Sequence, residues 1–182
     1  MEDLLRHPAG TERHAQRHEF QVAAATEKAG VRVAASVPDN WIEPVIERLE
    51  ASRTVIHTPA AREEDALGIC LGAALAGKRA ICLMQNAGLL NTGGTLATLA
   101  NAFGIPVVLI VTDRGHLGDV LTAHFEKARP FRPFLEALQI PYYELSADFD
   151  RDDQISQAFE MAEAGQRPVA LLITRATLEE RR

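Results

Sequence analysis

Residues 62–91 read REEDALGICLGAALAGKRAICLMQNAGLLN, and this stretch decides the fold. Glu63 and Glu64 stand where a helix should begin. The residues that follow are apolar almost all round: Ala66, Leu67, Ile69, Cys70, Leu71, Ala73, Ala74, Leu75 and Ala76. A helix with no polar face is expected to be buried. Gly68 and Gly72 lie one turn apart with Ala76 beyond them, a smooth strip where another backbone can come close. Gly77-Lys78 closes the helix, Ala80 to Met84 forms an apolar strand, and Gln85-Asn86-Ala87-Gly88 opens a loop. A carboxylate at the mouth of a buried helix costs free energy unless a partner or ligand meets it. The acids at this helix start are therefore candidate functional groups.

Outward from this stretch, strands and helices alternate. Residues 1–11 are polar and are expected to fray, leaving one domain over 12–182. Thr11 can cap a helix over 12–29 that Gly30 stops. Val31 to Val37 reads as a strand, Trp41 to Ala51 as a helix with Pro44 in its first turn, and Thr54 to His57 as a strand. Beyond Asn91, a helix is predicted over Thr92 to Phe103 and an apolar strand over Val107 to Thr112. Asp113 to Ala128 reads as the longest loop. It precedes a helix around Pro133 to Leu138, a strand at Tyr142 to Leu145, a helix over Asp152 to Ala164, and a last strand at Val169 to Thr174. Such alternation predicts a single three-layer α/β domain with a mostly parallel sheet flanked by helices. Ligands of such sheets bind at the carboxyl ends of the strands. Four segments are expected there together: Pro38-Asp39-Asn40, Ala61-Arg62-Glu63, Gln85 to Gly88, and Arg114 to His124.

Composition narrows the function class. The chain has 182 residues, 47% apolar and 24% charged, with a net charge of −6. That is one soluble globular domain large enough to bury a core. The acidic balance and scattered basic residues argue against nucleic acid. No apolar run approaches a membrane span, and no hydrophobic leader stands at the N-terminus, so a cytoplasmic protein is expected. Cys70 and Cys82 form no CxxC pair and read as reduced core thiols.

The 62–91 stretch resembles the pyrimidine-binding half of the thiamine-diphosphate (ThDP) enzymes, and is most similar to the sulfopyruvate and phosphonopyruvate decarboxylases. The resemblance lies in Glu63, Ala66, Gly72, Gly77-Lys78 and the Met84 to Asn91 run. Flanking it are Ser36-Val37-Pro38-Asp39, and Gly104-Ile105-Pro106 leading to Arg114-Gly115. It covers roughly 18–175, the size of a domain.

The resemblance implies a role for each residue, beside a plainer one. Glu63 would bond N1′ of the aminopyrimidine and promote its imino tautomer. Otherwise it is a helix N-terminal carboxylate, worth a few tenths to about 1 kcal/mol. Gln85, Asn86 and Gly88 would lie against the aminopyrimidine, with Asn86 also near the substrate. Otherwise this is an ordinary turn in which Gly88 supplies a positive φ and Asn86 bonds its own backbone. Asn40 reads as the N-cap of the Trp41 helix, and the family places a substrate-facing polar residue at this turn. His124 would assist proton transfer, although Val120 to Ala123 replaces the relatives' Asp-Glu-Pro-Gln and His116 competes for the role. Arg114 would bind the substrate's anionic group, as would Arg62, with a surface ion pair as the plainer reading of each.

The chain has no Gly-Asp-Gly segment for Mg²⁺ and the cofactor diphosphate. The resemblance thus implies the alpha subunit of a ThDP-dependent 2-oxo acid decarboxylase that also self-associates. ThDP would be shared with a separate beta subunit holding Mg²⁺, and no metal ligands are expected here. The implied substrate is a small anionic 2-oxo acid, sulfopyruvate first. Phosphonopyruvate decarboxylase, a ThDP carboligase subunit, and a non-catalytic binding or assembly subunit are the alternatives.

Overall fold

The computed structural model describes residues 21–145 and 151–178. The expected fraying segment, the Thr11 cap and the start of the first helix lie outside them. The elements in chain order are α1 (21–28), β1 (Val33–Ser36), α2 (Glu43–Glu50), β2 (Ile56–Pro59), α3 (Glu63–Leu75), β3 (Ala80–Gln85) and α4 (Asn86–Asn91). There follow α5 (Gly93–Thr95), continuing into a π-helical turn (Leu96–Asn101), β4 (Val108–Thr112), α6 (Thr122–Ala137), β5 (Tyr142–Glu144), α7 (Arg151–Gly165), β6 (Val169–Ile173) and α8 (Arg175–Leu178).

The strands form one six-stranded sheet in the order β2-β1-β3-β4-β6-β5, with every neighbouring pair parallel. Alternate residues of a strand face opposite sides, and here each side has its own core. Ala34, Ile81, Leu83, Val108 and Ile110 pack with Val22, Ile42, Leu49, Ile155 and Phe159 on one side. Ala35, Cys82, Met84, Leu109 and Val111 pack with Leu67, Cys70, Leu89, Phe131 and Leu135 on the other. The expected three-layer α/β architecture is therefore the observed one. From β1 the chain winds to β2 on one side and from β3 to β4 on the other. The crevice between the carboxyl ends of β1 and β3 is the topological switch point, where such sheets bind ligands.

Several boundaries differ from expectation for local reasons. β2 begins at Ile56, not Thr54, because the Ser52 hydroxyl accepts from the N–H groups of Thr54 (3.1 Å) and Val55 (3.2 Å) and holds a turn there. α2 begins at Glu43 without a side-chain cap, so Asn40 is not its N-cap. Asp39 organises that entry instead, its carboxylate accepting from the N–H of Trp41 at 2.9 Å. No loop opens at Gln85: β3 runs directly into α4, and Gly88 is helical, not one of the positive-φ glycines. The loop after β4 ends at Leu121, since α6 extends back to Thr122 despite Pro130 and Pro133. Its buried Phe131 and Leu135 anchor the helix against the core and offset the two lost backbone bonds.

The expectation that α3 is buried all round holds on one face only. Ala66, Leu67, Cys70 and Leu71 are buried against the sheet, while Gly68, Gly72 and Ala76 are exposed and Leu75 is 72% exposed. No described element of the chain covers that outer face, because α3 lies on one side of β1 and β3. The two faces should respond differently to truncation. Leu67→Ala is expected to cost about 2–5 kcal/mol and Leu75→Ala no more than about 0.5 kcal/mol. Urea unfolding of the isolated chain checks this; equal losses would contradict the packing described.

Candidate functional site

The carboxyl ends of β1, β3 and β4 meet at Asp39. One of its oxygens accepts from Arg114 Nη2 at 2.7 Å and from the Trp41 N–H at 2.9 Å. The other accepts from Gln85 Nε2 at 2.8 Å. The Arg114 and Asp39 side chains are only 12% and 6% exposed. A desolvated pair of this kind needs good geometry and extra hydrogen bonds to be tolerated, and Gln85 and the Trp41 amide supply them. Trp41 covers the guanidinium, its ring centre 4.2 Å from Arg114 Cζ. Arg114 is thus in a buried pair, not the surface pair of its plainer reading. Its Nε, and the Thr112 hydroxyl two residues earlier, are buried with no hydrogen-bond partner.

Asn86 sets the backbone beside this cluster. Its Nδ2 donates to the Arg114 carbonyl at 2.9 Å and approaches Asp113 Oδ1 at 3.4 Å, while its Oδ1 accepts from the Ala87 N–H at 2.8 Å. The expected side chain-to-backbone bond of Asn86 is therefore present, and its amide is committed to protein groups. The buried Asp113 also accepts from Arg132 Nε (3.1 Å) and Nη2 (2.8 Å), and the same Nη2 reaches Glu144 at 2.6 Å. His116 Nε2 lies 3.0 Å from Asp113 Oδ1 on a half-exposed side chain.

Glu63 starts α3, half-buried, and lies directly on Gly88. A Cβ built at residue 88 would overlap the Glu63 Cγ, Cδ and Oε1 atoms. Close approach of this carboxylate, not a left-handed backbone, is what requires glycine there. Among the described residues the Glu63 side chain has no hydrogen bond or ion pair, whereas Glu64 pairs with Arg62 at 3.1 Å on the surface. The two acids that sequence left in competition are therefore distinct: Glu63 faces α4 and Glu64 faces solvent. The Glu63 charge also reaches the core. After the bond to Cys70 and burial, it adds to the causes that push the Cys82 thiol well up.

His124 lies in the first turn of α6, not in a loop, with Nδ1 at 2.8 Å from Asp119. Its carbonyl closes on Gly115 (φ +91°), where a Cβ would overlap it, so the helix start is locked against the residue after Arg114. Glu63 and Gly88 are thus in contact, Gln85 and Arg114 are joined through Asp39, and Asn86 donates to the Arg114 carbonyl. Asn40 stays exposed and outside this network. Sequence reasoning missed Asp39, Trp41 and Asp113 as organising residues. Asp39 had a signal, since an Asp-Asn pair before a helix offers two candidates for one turn. Trp41 and Asp113 had none, because their partners are far away in sequence.

The family described as "Thiamine pyrophosphate enzyme, N-terminal TPP binding domain" matches residues 17–127. The alpha subunit of sulfopyruvate decarboxylase from Methanothermobacter thermautotrophicus is 32% identical over 152 residues, covering 84% of this chain and 92% of that protein. The corresponding subunit from Methanocaldococcus jannaschii is 36% identical over 137 residues, covering 75% of this chain and 81% of that protein. In fold alone, the chain is similar to a 2-oxoglutarate:ferredoxin oxidoreductase from Magnetococcus marinus, with a TM-score of 0.67 and 18% identity over 88% of this chain and 29% of that one. With two-thirds or more of each decarboxylase subunit covered, the chain belongs to the thiamine pyrophosphate enzymes, as an N-terminal TPP-binding domain of the sulfopyruvate decarboxylase alpha-subunit type.

Proposed function

We propose that this chain is the alpha subunit of a ThDP-dependent decarboxylase that converts 3-sulfopyruvate to sulfoacetaldehyde and CO₂ with a separate beta subunit. The observation that carries the reading is the Glu63 carboxylate, seated on Gly88 without a protein partner at the ligand-binding edge of the sheet. A half-buried, unpartnered carboxylate at a helix N-terminus fits a ring nitrogen with which it can exchange a proton. When bound, ThDP supplies the electron sink for loss of CO₂. The chain's own part is to hold the pyrimidine and aim the substrate.

Glu63 holds the proton exchanged with pyrimidine N1′. Gly88 lets that carboxyl lie flat on α4, and Gln85 and Asn86 fix the β3–α4 junction beside it. Arg114 would bind the substrate's anionic sulfonate or carboxylate, its buried Nε–H having no acceptor within the protein. Asp39 offsets the rest of the guanidinium charge. Asn40 offers an exposed amide at the rim, and His124 handles the proton delivered to product. Mg²⁺ is assigned to the beta subunit, because this chain carries no Gly-Asp-Gly segment to hold the metal and the diphosphate. The outer face of α3, with the 72%-exposed Leu75, is proposed as an assembly surface, including self-association. No described helix is long and apolar enough to cross a membrane, and nucleic acid is not among the proposed ligands. A phosphonate headgroup has similar size and charge, so phosphonopyruvate is assayed beside sulfopyruvate.

Glu63→Gln is expected to lower CO₂ release by the reconstituted, ThDP- and Mg²⁺-loaded complex by about 10²–10⁴-fold, with Glu64→Gln near wild type. Unchanged turnover in Glu63→Gln would favour a non-catalytic assembly subunit. Gly88→Ala should keep the fold, because the overlapping atoms belong to a flexible side chain, yet weaken ThDP binding by the complex. Calorimetry checks both points, and wild-type affinity in Gly88→Ala would argue against the seat. The isolated chain is expected to bind ThDP weakly, with tight Mg²⁺-dependent binding only after the beta subunit is added. Tight binding by the isolated chain would remove the case for a shared site.

A further inference from the structure

The loop between β4 and α6 is built around one carboxylate. Asp119 Oδ1 accepts from the N–H groups of Val120 (2.8 Å) and Leu121 (3.2 Å), and Oδ2 accepts from the Gly115 N–H at 3.1 Å. Oδ2 also lies 2.8 Å from His124 Nδ1. The two side chains are 9% and 15% exposed. Burial raises the Asp119 carboxyl, but the Leu121 and Gly115 N–H groups and His124 outweigh it and hold the group below its ordinary range. An ionised carboxylate only accepts, so His124 must be the donor through Nδ1.

Three backbone bonds are enough to shape the loop. The fourth contact, to an imidazole five residues on, has no role in the turn. The same segment carries Gly115, locked beneath the His124 carbonyl, next to the Arg114 that Asp39 and Asn86 hold. His124 is thereby tethered to the site by a short, fixed piece of chain.

We infer that Asp119 is a positioning residue for His124, holding its imidazole as the Nδ1–H tautomer and leaving Nε2 to carry the transferred proton. The inference deepens the proposed function and rests on the part given there to His124. Nε2 would first take a proton from solvent, giving the imidazolium, and then deliver it to the carbon that loses CO₂, which returns the ring to the neutral Nδ1–H form. Asparagine at 119 would keep Oδ1 for Val120 and Leu121 but turn an NH₂ toward His124, favouring the opposite tautomer, as in hydrolase triads whose aspartate is replaced.

The test combines nitrogen NMR of the full chain labelled at histidine with turnover of the complex. His124 is identified by the signals lost in His124→Gln, at a pH where the ring is neutral. Nδ1–H is expected in the native chain, and a shift toward Nε2–H in Asp119→Asn. In the complex, that variant should lower kcat by about 10²-fold with KM little changed. An Nε2–H tautomer in the native chain overturns the inference even if Asp119→Asn does not fold. If His124→Gln impairs turnover but a folded Asp119→Asn does not, this inference alone fails. If His124→Gln turns over normally, the proton-transfer reading of His124 fails first and takes this one with it.

Discussion

The buried pair between Asp39 and Arg114 ties together three strand ends that are separate in sequence. Asp39 follows β1, Arg114 follows β4, and Gln85 ends β3 between them; all three meet on one carboxylate. A charge so little exposed would be costly alone. The sheet order brings its partners to it, since β3 lies between β1 and β4. The fold thus solves an electrostatic problem at the point where parallel sheets bind ligands. Removing either charge would leave the other buried without its partner, a strongly destabilising change.

The second constraint is steric. Glu63 reaches α4 only because residue 88 has no side chain. The acid comes from a helix packed on the sheet through Leu67, Cys70 and Leu71, so core packing on one side of the sheet sets the carboxylate's position. That arrangement has a cost on the opposite face. An apolar helix with only one face against the sheet exposes Gly68, Gly72 and Leu75.

Much of this was legible in the sequence. The alternation of short apolar runs with helical segments carried the three-layer parallel fold, because both faces of every central strand are buried. The Met84 to Asn91 run and its distance from Glu63 carried the family, and Glu63 does meet that run at Gly88. The sequence could not show contacts between distant segments. Asn40 looked like a cap, yet Asp39 took the turn because Arg114 and Gln85 approach it from other strands. In its plainer reading Gly88 supplied a positive φ; in the structure it is helical and makes room for Glu63 instead. The loop after β4 looked long because Pro130 and Pro133 hid a helix that Phe131 and Leu135 anchor. Local propensity was overruled in each case by packing or charge pairing across the sheet.

The pattern of satisfied and unsatisfied side-chain groups singles out the end of β4. Buried polar atoms in proteins are nearly always paired. Among the described residues, the exceptions are His57 Nδ1, Thr112 Oγ1 and Arg114 Nε. His57 Nδ1 lies 3.4 Å from Glu50, so its charge partner is at hand when the ring is protonated. The other two sit two residues apart at the carboxyl end of β4. Around them Asp113, Arg132 and Asp39 are paired within the protein. The two unpaired side-chain groups therefore lie beside Arg114, at the same strand ends that Asp39 draws together.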